Sequence, residues 1–151
     1  MIIIEGPDNS GKTTLAQEIC ETQKALYVKT YQKEWTYKEL EEFQWDFLDM
    51  DYRSIVFDRY PVISHYIYSK VIRNDHSYGW DDLRKLLLPW RDADVEYIYC
   101  RPDLSIIEDY GDRPQMEGVK ENTRELVDLY DIMFEAVQAM DITTTLYDWS
   151  K

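Results

Sequence analysis

Two glycines, a lysine and two threonines at fixed offsets are the residues of this sequence best suited to chemistry. Gly6, Gly11, Lys12 and Thr13 stand in GPDNSGKT, with Thr14 directly after, and fit the spacing G-x-x-x-x-G-K-[ST]. The spacing matters because a polyphosphate carries several negative charges that must be held without a crowd of side chains. A loop curled around it presents backbone N–H groups, and a following helix adds its positive N-terminal end. Glycine lets such a loop close tightly, since no Cβ intrudes. Lys12 is then placed to bridge the β- and γ-phosphates, and the Thr13 hydroxyl to ligate Mg²⁺. Asn9, Ser10 and Thr14 complete the phosphate-binding set. A plain strand-to-helix turn would need none of these offsets, so the sequence predicts a nucleotide site with Mg²⁺.

The elements around the motif have to supply a strand before it and a helix after it, and they do. Ile2 to Ile4 reads as a short buried strand. Lys12 to Gln23 carries Leu15, Ala16, Ile19 and Cys20 at helical spacing. Further strands are expected at 25–29, 54–57 (ending on Asp58), 95–100 and 142–147. Helices are expected at 38–49, 61–73, 81–88 (closed by Pro89), 103–108 and 119–140, with a turn at 75–79. In the last long helix, Val119, Leu126, Met133 and Met140 recur every seven residues, with Tyr130 and Val137 between. Residues 109–118, DYGDRPQMEG, are the least regular stretch and read as a loop. Strands alternating with helices predict a parallel α/β sheet covered on both faces. The 151 residues fit one domain and leave little room for a second.

Composition weighs against some partners. Thirty acidic against seventeen basic residues give a formal charge of −13, a field that repels duplex DNA and anionic membranes. A small phosphorylated ligand can still be held where a few cations converge. Cys20 and Cys100 are far apart in apolar company and read as reduced packing residues. His65 and His76 read as structural. No apolar run approaches membrane length, no leader segment is recognisable, and a cytoplasmic location is expected.

No guanine-selecting N-K-x-D tetrapeptide occurs, and the chain is short for the large ATPases, which leaves a phosphotransfer enzyme of minimal size. Here IIIEGPDNSGKTT resembles the opening of the thymidylate kinases, with an acidic residue, Asp8, inside the P-loop. The third strand ends in FDRY, similar to that family's Asp-Arg signature. The order of elements resembles that family over essentially the whole length, most of all its compact bacteriophage-type members. The resemblance implies a three-layer P-loop nucleotide-kinase fold, a five-stranded parallel sheet in the order 2-3-1-4-5, and a lid at about 109–118. It implies transfer of the ATP γ-phosphate to a (deoxy)nucleoside monophosphate, foremost a thymidylate-like one, in the host cytoplasm if phage-encoded. Asp58 would then orient Mg²⁺ through water or sit beside the attacking group, and Arg59 would clamp the acceptor phosphate. Asp8 would face the acceptor sugar, residues such as Trp35, Trp45, Tyr66 or Tyr68 would wall the pocket for its base, and Arg113 would bring positive charge to the transferring group. Arg101, Lys120 and Arg124 stand as reserves. A homodimer formed through the helix after DRY is also implied.

The sequence departs from the family pattern on the acceptor side. Asn9 stands where many members carry an arginine, and VKTYQKEW lacks the arginine expected after the second strand, leaving Lys29 or Lys33 as substitutes. Ser64 and Tyr66 or Tyr68 are out of step by a residue. Two alternatives therefore stay open: a kinase acting on a hydroxymethylated base within DNA, and a nucleotide-binding module without transfer.

Overall fold

A computed structural model describes residues 1–31, 33–50 and 54–151. Five strands, β1 (Ile2–Glu5), β2 (Leu26–Lys29), β3 (Ile55–Asp58), β4 (Glu96–Cys100) and β5 (Thr143–Tyr147), form one sheet in the order β2-β3-β1-β4-β5. Every pairing is parallel, as the sequence and its resemblance predict. Helices α1 (Lys12–Gln23), α2 (Tyr37–Leu48), α3 (Pro61–Val71), α4 (Trp80–Asp92), α5 (Leu104–Ile107) and α6 (Thr123–Ala139) flank it. β1 lies at the centre, where the strand order reverses. In open parallel sheets the crevice beyond the carboxyl ends at this point receives ligands, and β1 delivers the P-loop there.

Alternation along the strands divides the core in two. Ile3, Phe57, Tyr97 and Tyr99 pack with α2, α3, α4 and α6 on one face. Ile4, Val56, Ile98 and Cys100 pack with Ala16 of α1 on the other. Ile98 is buried on the second face because α1 covers it.

Three expectations need correcting. Pro89 does not end α4, which continues to Asp92 with the proline inside it. The hydrogen bond the proline forfeits is offset by the turn beyond it, which buries Trp90 and lets its Nε1 donate to Gln44 Oε1 at 2.7 Å. The long last helix begins as a 3₁₀ turn at Lys120–Asn122, and regular α geometry starts at Thr123. The third concerns α3, the helix expected to meet a second copy of the chain. Pro61 through Ser69 are all buried within one chain, and α2, α4 and α6 pack against α3. Those nine residues have no free face to offer a partner.

Candidate active site

The P-loop runs from Gly6 into α1. At Gly6 (φ 154°) an added Cβ would lie 2.7 Å from the Cys100 carbonyl, because the loop passes that close to the end of β4. At Gly11 (φ 90°) it would lie 2.6 Å from Trp149 Cδ1, so a side chain there meets both strain and a ring. Lys12 is buried, and its Nζ donates to the Pro7 carbonyl at 2.8 Å. Burial, aided by the Arg59 charge, brings its pKa down from 10.5 to about 8, against the pull of Asp8, Asp58 and Glu5. An ammonium so poorly solvated gains most when an anion arrives.

Two clefts meet at this loop. One, of about 510 Å³, is lined by residues 9–14, Glu18, Arg113, Tyr147 and Trp149. The other, of about 330 Å³, is lined by Asp8, Lys29, Thr30, Tyr31, Asp58, Arg59, Tyr68 and Met116 together with Asn9, Lys12 and Thr13. Asn9, Lys12 and Thr13 belong to both. Two ligands filling these clefts would touch across the P-loop lysine.

Asp58 ends β3 beside β1 and accepts from the Thr13 hydroxyl at 2.7 Å and the Tyr27 hydroxyl at 2.8 Å. Lys29 Nζ stands 4.0 Å away. A hydroxyl and a carboxylate side by side are the hard oxygen donors that Mg²⁺ takes in small number while keeping its waters and phosphate ligands, so the residues fit the ion. Among the described residues no group of three or more His, Cys, Asp or Glu could hold a metal without such help.

Arg59 follows in a left-handed conformation, φ 71°, which turns the chain sharply from β3 into α3. Its guanidinium pairs with Asp8, donates to Tyr130 Oη at 3.3 Å and lies over the Tyr68 ring at 5.3 Å. The Tyr68 hydroxyl is buried without a hydrogen-bond partner among the described residues. Tyr68, rather than Tyr66, lines the smaller cleft. Tyr66 turns into the core against Tyr78, with the Lys70 ammonium over its ring, so of the two candidate tyrosines only Tyr68 faces the cleft. Of the two candidate lysines, Lys29 lines it, and Lys33 lies over the Trp35 ring at 4.0 Å.

The 109–118 loop reaches the P-loop through one pair of side chains. Arg113 Nη2 donates to Asn9 Oδ1 at 2.6 Å, while Asn9 Nδ2 donates to the carbonyls of Ile106 at 2.6 Å and Asp109 at 2.9 Å. Asn9 thus fastens the loop over the larger cleft. Arg101 goes elsewhere. Its Nε donates to Asp131 Oδ1 at 3.0 Å, in a different cleft beside α6 that contains no P-loop residue. Being next to a strand end does not aim a side chain at the site when a carboxylate on α6 captures it first. Arg124 is held by Glu108 at 2.7 Å. His65 is buried against Ser69, and burial lowers its pKa. Burial pushes the Cys100 thiol up to about 12, which keeps it unreactive.

No family model and no curated protein matches the sequence. Solved structures do. A YorR protein from Bacillus subtilis, crystallised with phosphorylated GDP, is 23% identical, with a TM-score of 0.73 over 99% of this chain and 86% of that one. A deoxyadenosine kinase from M. mycoides, with products dCMP and dCDP bound, is 19% identical, with a TM-score of 0.60 over 99% and 90%. The thymidylate kinase of Candida albicans is 18% identical, with a TM-score of 0.61 over 98% and 83%. The chain has the fold of P-loop nucleotide kinases.

Within this kinase fold, two residues of the site escape a reading of the sequence. Trp149 lies just past β5, and its indole donates to the Ser10 carbonyl at 3.1 Å, half exposed at the mouth of the larger cleft. Its only signal is an aromatic directly after a last strand. Glu5 is a fully buried acid at the end of an isoleucine run, and the acid in an apolar strand is itself the signal.

Proposed function

We propose that this chain is an ATP-dependent phosphotransferase that moves the γ-phosphoryl group onto a (deoxy)nucleoside monophosphate, thymidylate-like foremost, giving ADP and the nucleoside diphosphate. One observation carries the reading: two clefts of unequal character share Asn9, Lys12 and Thr13, so donor and acceptor can meet in line across one lysine. The nearby Asp58–Arg59 pair and the fastened loop have no use in a protein that only stores a nucleotide.

The donor's phosphates lie against the amides of residues 9–14 and the N-terminus of α1, and its base lies against Trp149. Thr13 and Asp58 would hold magnesium, which when bound would neutralise charge on the polyphosphate. Arg59 offers the acceptor phosphate a planar two-pronged donor, exchanging its present partner Asp8 for the substrate. Asp8, released, is free to accept from a sugar hydroxyl, and the unpartnered Tyr68 hydroxyl points to a second polar contact there. An acceptor phosphate oxygen attacks the γ-phosphorus, the bond to the β–γ bridging oxygen breaks, and the electron pair leaves with ADP. Lys12 and Arg113 stabilise the charge that spreads over the transferring group, where positioning and electrostatics supply nearly all the catalysis.

A screen of ADP release from ATP against each deoxynucleoside monophosphate, free nucleosides and hydroxymethylated DNA tests this. Release that depends on a monophosphate is the expected result. Release with DNA alone, or release that ignores every acceptor, would overturn it. The charge of −13 and the small acceptor cleft both weigh against DNA.

A further inference from the structure

Glu5 has no role in the transfer as described, yet it is the most unusual group beneath the site. It ends β1, fully buried, and a carboxylate taken from water persists only where donors and cations surround it. Oε1 accepts from the Tyr60 amide at 2.6 Å and from Ser64 Oγ at 2.5 Å. Oε2 accepts from Tyr130 Oη at 3.0 Å.

Two of these three bonds lead to Arg59. Tyr60 follows it directly. The left-handed backbone at Arg59 is one that a long side chain rarely adopts, and it persists only where the surroundings over-determine it. β1 supplies that restraint on both sides, because the Arg59 amide donates to the Ile4 carbonyl at 3.0 Å and the next amide goes to Glu5. Tyr130 carries the second connection. Its hydroxyl donates to Glu5 and accepts from Arg59 Nη1, and its ring is fixed by stacking on Tyr99 at 5.8 Å. The remaining bond, from Ser64, serves α3, whose first turn has no side-chain cap of its own. A carboxylate that only capped α3 would use Tyr60 and Ser64 and would not need Tyr130.

We propose that Glu5 is the positioning residue of the acceptor side, setting the Arg59 backbone through Tyr60 and the Arg59 guanidinium through Tyr130. The inference rests on the reading of Arg59 as the phosphate clamp. It predicts that damage at Glu5 or Tyr130 falls on the acceptor and spares the donor, although both residues lie beneath the P-loop.

The test compares Glu5→Gln and Tyr130→Phe in the full chain. Glutamine keeps an oxygen for Tyr60 and Ser64 but places an amide donor opposite Tyr130. Phenylalanine leaves Glu5 capping α3 and cuts only the branch to Arg59. Kinetics are measured with ATP and whichever monophosphate supports ADP release. Each variant is expected to lose about tenfold or more in acceptor kcat/KM, as for a charge-assisted hydrogen bond. The ATP KM should stay within about twofold, and the double variant should be no worse than the poorer single one. Equal losses on both substrates, or additive losses in the double variant, would overturn the proposal. Inorganic phosphate titrated into protein with ¹⁵N-labelled arginine, followed at the Arg59 side chain, reads the same positioning without turnover. If the wild-type chain transfers to no acceptor, the kinase reading falls and this titration decides alone. Weaker phosphate response at Arg59 in both variants upholds the role of Glu5, and an unchanged response in both overturns it.

Discussion

On the proposed reading, replacing Trp149 with alanine should separate recognition of the donor's base from recognition of its phosphates. The indole is 49% exposed, which leaves roughly 100 Å² of ring open to a ligand, given the usual size of a tryptophan side chain. A base covering about half of that area loses a similar area of its own from water. At about 25 cal/mol per Å² the combined burial is worth about 2.5 kcal/mol, inside the range of about 1–3 kcal/mol for a base stacked on an aromatic ring. ATP should therefore bind about seventyfold more weakly to Trp149→Ala. Inorganic tripolyphosphate, which has no base, should bind about as well as before, apart from a small effect of the lost bond to the Ser10 carbonyl. Trp149→Phe retains a ring without the indole donor and should recover most of the ATP affinity. Isothermal titration of both ligands against the three proteins gives the comparison. Equal weakening for ATP and tripolyphosphate would mean that Trp149 merely shapes the P-loop, and no weakening for ATP would place the base elsewhere.

Other expectations follow from the same geometry. Burial holds the Lys12 pKa at about 8 in the empty protein, and a bound polyphosphate favours the charged form. ATP affinity should therefore be level below about pH 8 and fall by up to about tenfold per pH unit above it, with proton uptake on binding near pH 8 visible in titrations run in buffers of different ionisation enthalpy. Arg113→Ala should lower turnover by about two to three orders of magnitude, the range for removing one transition-state donor, while direct titration shows ATP still bound. Gly11→Ala should cost about 1–2 kcal/mol from its left-handed backbone and about 1 kcal/mol more where the new Cβ displaces the Trp149 bond to Ser10. Denaturant titration should show that the second part vanishes when Trp149 is already alanine.

Much of this was legible in the sequence because its signals are local. The P-loop is a contiguous motif, and Ile2 to Ile4 and Lys12 to Gln23 bracket it with unambiguous patterns. FDRY identifies a strand end from four adjacent residues. What escaped depends on which groups the fold brings together. Arg101 looked available for the cleft until Asp131, thirty residues later on α6, proved to hold it. Tyr66 and Tyr68 differ by two positions on a helix, about 200° around its axis, and only packing decides which one meets the cleft. Asn9, read as a missing cation, instead receives one from the 109–118 loop. Pro89 carries a strong local stop signal, which the burial of Trp90 one residue later overrides.

An arginine rooted in an enclosed helix and an arginine on a fastened surface loop give the site two walls of very different stiffness. Arg59 leads into α3, so displacing it means disturbing the packing of α2, α4 and α6. Arg113 is held to the P-loop by a single side chain, and the cheapest local openings of a protein occur where few buried contacts must break. On the proposed reading, the wall that carries Arg113 should yield first when nucleotide enters or leaves, and the wall that carries Arg59 should keep its place like an anvil.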